Sequence, residues 1–113
     1  MYAIIWEFVV RKDRIREFVA VYQSDGDWAR LFRLAEGFEG TQLLSATDDA
    51  ERFLTIDRWR SVDHFTGFRE QFGEQYRALD ARLEGLTVSE RKLGTFVTGP
   101  AACEDERQDV VSG

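Results

Sequence analysis

Three groups in this chain can move a proton or hold a charge: a lone histidine, a carboxylate beside a guanidinium, and a glutamate set among apolar residues. His64 is the only histidine. Its ring titrates near neutrality, so it can serve as a general base toward a phenol or an activated C–H. It lies one helical turn before Phe68, at the edge of an apolar stripe. The other reading of His64 is a solvated residue in the first turn of a helix, whose dipole disfavours imidazolium. Asp57 and Arg58 are neighbours in a strand, so they point to opposite faces. One of them can enter a cavity as base or anion anchor, or both can be paired charges at a sheet surface. Glu7 interrupts an otherwise apolar strand. Burial there would raise its pKa and make it a base, whereas a basic partner would make it structural.

Rings are abundant, with an aromatic fraction of 13%. Trp28, Phe32, Trp59, Phe65, Phe68, Phe72 and Tyr76 can line a pocket for a flat aromatic ligand, with Tyr22 nearby. The same rings can equally fill a core. No glycine-rich phosphate loop appears among the nine scattered glycines, and one His with one Cys makes no metal cluster. No metal site and no cofactor is therefore expected, and Cys103 is expected to be inert.

The elements that must carry these residues follow from the pattern. Tyr2 to Val10 is rich in β-branched and aromatic residues and apolar on both faces. A strand of that kind is covered on both sides. A chain of 113 residues has helices enough for one side, so a partner is expected on the other. Helical spacing begins at Asp13 and includes Ile15, Phe18, Val19 and Tyr22. Asp27 is placed to cap a second short helix, and Gly37 to end it. Phe38 to Ala46 and Phe53 to Trp59 form an antiparallel pair joined by the polar loop Thr47 to Glu51. Ser61 is a good N-cap for the stripe Phe65, Phe68, Phe72, Leu79, Leu83 and Leu86, with Gly73 and Gly85 as weak points. Val88 to Thr98 is the last strand, with Leu93, Thr95 and Val97 alternating against Gly94 and Phe96. The order β-α-β-β-α-β is the ferredoxin-like α+β arrangement: a four-stranded antiparallel sheet with helices on one face.

The strand from Met1, the Gly37-Phe38-x-Gly40 turn, the run Leu54 to Trp59, and Ser61 leading into Phe65 and Phe68 resemble the antibiotic biosynthesis monooxygenase family. The resemblance spans about residues 1–98, taken as one domain, and leaves 99–113 as an acidic tail that is solvated or lies on a partner. It implies a homodimeric α+β barrel, which would cover the second face of the first strand. It also implies one of several activities, among them cofactor-independent oxygenation of aromatic substrates, haem degradation and quinol oxidation. The haem-degrading members use an Asn on the first strand, and a Trp and a His on the second long helix. The nearest positions here hold Glu7, Phe68 and Ala78, so that branch is not matched.

The expected protein is thus a small cofactor-independent monooxygenase-like enzyme for a flat apolar aromatic, a hydroquinone or a polyketide-like phenol. Glu7, Asp57 or His64 would take the proton and Arg58 would face the anion. Two alternatives stand beside it: a non-catalytic module that binds or senses such a molecule, and a packed dimer without a cavity. A net charge of -6 opposes nucleic-acid and anionic-membrane partners. No apolar run reaches the ~20 residues of a membrane helix. The N-terminus has no signal-peptide pattern, and a single cysteine fits a reducing, cytoplasmic setting.

Overall fold

In the computed structural model, which describes residues 1–98, the chain forms four strands and three α-helices. They are β1 (Tyr2–Val10), α1 (Ile15–Tyr22), α2 (Asp27–Phe32), β2 (Phe38–Ser45), β3 (Arg52–Trp59), α3 (Val62–Arg82) and β4 (Thr87–Val97). The sheet order is β2-β3-β1-β4, with every neighbouring pair antiparallel. This is the ferredoxin-like α+β fold expected from the pattern. The acidic tail expected over 99–113 lies outside the described residues. Among the described residues no helix is long and apolar enough to cross a membrane.

Local differences from the sequence reading have physical causes. A 3-10 turn, Lys12–Arg14, precedes α1. Gly26, not Asp27, is the N-cap of α2. A side chain on Gly26 would strike the carbonyl oxygen of Val21, so the chain packs this closely there only with glycine. Asp27 instead opens α2 and takes Arg30 at 3.1 Å and Arg82 at 3.2 Å. The long helix is irregular at Phe72 (φ -118°, ψ 21°), beside Gly73. In β4, the alternation expected from Leu93 to Val97 is broken by a bulge. Gly94 faces Ile5 and Lys92 faces Trp6, so Leu93 has no partner on β1.

The register decides which side chains share a face. Ile4, Trp6 and Phe8 of β1 stand opposite Asp57, Thr55 and Phe53 of β3, and Thr41 of β2 continues the Asp57 row. That face meets the helices. Trp59 lies on it at the end of β3 and is fully buried. Its ring touches Phe32 of α2, Phe38 of β2, and Phe65 and Phe68 of α3, with centroids 5.2–5.7 Å apart. One indole thus ties two helices to the sheet. The opposite face carries Ala3, Ile5, Val9, Leu54, Ile56 and Phe96, and among the described residues no helix covers it.

The junction into α3 is fixed twice. The Ser61 hydroxyl accepts the His64 backbone N–H at 3.2 Å and lies 2.7 Å from Nδ1 of the His64 ring. The ring then packs on Gly37, whose φ of +93° only glycine adopts freely. A Cβ there would strike Cγ of His64. Gly37→Ala is therefore expected to destabilise the fold by at least about 1–2 kcal/mol, from backbone strain alone. Chemical denaturation checks this, and Gly37→Ala with His64→Ala should recover the part due to the clash.

Candidate functional site

β1 and β3 supply the floor of a cavity of about 130 Å³ on the helix-facing side of the sheet. Six rings bound it: Trp6, Phe8, Tyr22, Trp28, Phe32 and Tyr76. They hold one another by contact. Phe8 and Tyr22 are 5.0 Å apart, Trp28 and Phe32 5.7 Å, and Trp28 and Tyr76 5.1 Å. Thr41 and Thr55 add hydroxyls, and Asp57, Asp80 and Glu90 add carboxylates.

Asp57 is the polar centre of this site. It stands in mid-strand between Ile4 and Thr41, with apolar rings around it. Burial raises its pKa from 3.8 to about 6, and one hydrogen bond, from the Thr41 hydroxyl at 2.5 Å, offsets part of that rise. Its remaining exposed surface faces the cavity. A carboxylate near that value is mostly ionised at neutral pH and still basic enough to take a proton. Burial likewise raises the pKa of Tyr22 and Tyr76, so both hydroxyls stay protonated. The Trp28 indole N–H offsets a little of the Tyr22 rise, at a geometry too poor for a hydrogen bond. Its Nε1 is buried without a partner.

Of the side chains singled out in the sequence, Asp57, Tyr22, Trp28, Phe32 and Tyr76 meet at this cavity. The others do not line it. Glu7 lies on the opposite face of the sheet, held by Arg52 at 3.3 Å and Arg91 at 3.0 Å. Arg58 is also on that face, with its guanidinium donating to Gln42 at 3.2 Å. His64 is at the Ser61 and Gly37 junction. Trp59, Phe65, Phe68 and Phe72 pack with the core cluster. Trp6, Phe8, Thr41, Thr55, Asp80 and Glu90 were not expected at the site. Trp6 and Phe8 had a signal, since they share a strand face, but nothing in the pattern said that helices cover that face.

Among the described residues no group of three or more His, Cys, Asp or Glu side chains is placed to hold a metal ion. The cavity carboxylates are spread around its wall, and what they can do is accept protons or face positive charge.

The sequence profile of the antibiotic biosynthesis monooxygenase family matches residues 1–82, and the chain belongs to that family. A variant of SnoaB, described as a cofactor-independent oxygenase from Streptomyces nogalater, is similar in structure. Its TM-score is 0.63 at 24% identity, over 86% of this chain and 91% of that one. A Deinococcus radiodurans protein, proposed to be an antibiotic biosynthesis monooxygenase, has a TM-score of 0.68 at 14% identity, over 94% and 100% of the two chains. PA3566 from Pseudomonas aeruginosa has a TM-score of 0.62 at 13% identity, over 86% and 92%. These structures share the fold. No curated relative matches the chain.

The Asp57 shift makes a prediction about stability. Its pKa is higher in the folded chain, so folding favours the protonated form. The contribution to stability is full below 3.8 and is lost as the pH rises through about 6. Asp57→Asn removes that loss and can still accept from Thr41. The variant should be the more stable protein above about pH 7, by up to about 3 kcal/mol, and the gap should close toward about pH 4. Denaturation across that range checks it.

Proposed function

We propose that this member of the antibiotic biosynthesis monooxygenase family is a cofactor-independent monooxygenase-like enzyme for a small flat aromatic substrate. The observation that carries the reading is Asp57: a carboxylate with its pKa raised by burial, at the wall of a cavity lined by six rings. Family membership supports it, and so does SnoaB, described as a cofactor-independent oxygenase on the same fold.

The chemistry asks little of the protein. Asp57 takes a proton from a phenol or an activated C–H. The electron-rich anion passes electrons to O₂ in one-electron steps, and the substrate carbon bonds one end of the oxygen molecule. The peroxide takes back the proton, and loss of water leaves a carbonyl. The rings exclude solvent, so the anion forms only where it can react. Tyr22 and Tyr76, kept protonated, can donate to oxygen atoms of the substrate or the peroxide.

We further propose that a second copy covers the bare face of the sheet. Ile5, Val9, Leu54 and Ile56 are there without helices above them, and Phe96 is 55% exposed. Such a face is closed by a partner in a stable protein.

Two outcomes follow. Purified, metal-free protein should catalyse O₂ uptake with a one-ring hydroquinone. Asp57→Asn should lower the rate about 10²–10⁴-fold, the range for a lost general base. His64→Ala should not reproduce that loss, because His64 does not line the cavity. Ligand binding without uptake would instead favour a non-catalytic binding module. The protein should also run at twice its 13.1 kDa chain mass at micromolar concentration, and Ile56→Asp should return it to the single-chain mass. Light scattering reads both.

A further inference from the structure

The cavity wall has an unbalanced charge. Asp57 from β3, Asp80 from α3 and Glu90 from β4 line it, and among the described residues no lysine or arginine does. Two of the nearby cations are paired elsewhere. Arg82 pairs with Asp27 at 3.2 Å, and Arg91 with Glu7 on the far side of the sheet. Arg69 lies 5.1 Å from the Tyr76 ring centre and Lys92 5.8 Å from that of Trp6, outside the lining in both cases. Asp80 makes no ion pair among the described residues. Glu90 takes a hydrogen bond from the Thr87 hydroxyl at 3.1 Å. Burial is the main cause of the raised pKa of Tyr76; Arg69 lowers it, and Asp80, Asp57 and Glu90 each raise it by less than Arg69 lowers it.

A bare metal ion does not answer that field, because the carboxylates do not converge on one point. A diffuse organic cation does, and ring faces with nearby carboxylates are its usual surroundings. The cavity volume, about 130 Å³, resembles that of cavities that hold a single benzene-sized ring.

Building on the reading of this cavity as the substrate site, we propose that its ligand is a one-ring phenol bearing a cationic amine arm. The hydroxyl faces Asp57, and the ammonium faces Asp80 and Glu90. The arm also resolves a difficulty in the chemistry. A substrate anion formed beside Asp57 would otherwise stand among like charges with no countercharge in the cavity, and the ligand brings its own.

Three probes of matched shape test this in the full chain at about pH 7.5, where an alkylamine is charged. Tyramine carries the cation, 4-ethylphenol lacks it, and 3-(4-hydroxyphenyl)propionate carries an anion. Calorimetry should find tyramine binding about tenfold more tightly than 4-ethylphenol, with the propionate weakest. Asp80→Asn combined with Glu90→Gln should erase the advantage of tyramine over 4-ethylphenol. Equal binding of tyramine and 4-ethylphenol, or an advantage that survives the double substitution, overturns the cationic ligand while the aromatic site stands. Failure of all three probes to bind overturns both.

Discussion

A carboxylate on the helix-facing side of the sheet sets the constraint on which the rest of the site depends. Apolar rings cannot close over an ionised Asp57 without forcing it to keep its proton. Two residues further along the same face of β3, Trp59 is sealed beneath α2 and α3 with no exposed surface. At Asp57 the packing opens into the cavity instead, and Thr41 supplies its single hydrogen bond. The fold thus carries a local cost in stability at the position where a proton acceptor would be useful. Such costs are characteristic of sites under functional demand.

The opening is held by rigid parts. Phe18 and Tyr22 of α1 stack at 4.2 Å, and both touch Phe8 of β1. Trp28 and Phe32 of α2 link that pair to Trp59 and Phe68. Phe8, Tyr22, Trp28 and Phe32 of the cavity wall are therefore also part of the core, and their positions are set by neighbours on other elements. A cavity made this way keeps its shape before a ligand arrives, which lowers the cost of binding.

Much of the fold was legible in the chain. The β-α-β-β-α-β order, the Ser61 cap and the opposite directions of Asp57 and Arg58 follow from period and from single-residue geometry. The site was legible only in part, for a reason visible in β1. Ile4 and Phe8 are as apolar as Ile5 and Val9, so alternation alone does not say which set meets the helices. The same ambiguity left Glu7, Asp57 and Arg58 equal as candidates, whereas the structure puts only Asp57 on the cavity side. Asp80 and Glu90 look like ordinary surface acids in the sequence. Their place at one cavity with Asp57 depends on α3 folding back over the sheet and β4 pairing with β1, which no local pattern records. His64 attracted attention as the sole histidine, yet its nearest contacts are Ser61 and Gly37.

The most direct measurement is the titration of the Asp57 side-chain carboxyl, followed by its carbon chemical shift in labelled protein, with Asp57→Asn to assign the signal. A midpoint near 6 is expected. A midpoint near the ordinary aspartate value of about 3.9 would mean that Asp57 is well solvated, and the proton acceptor on which the proposed chemistry rests would be lost.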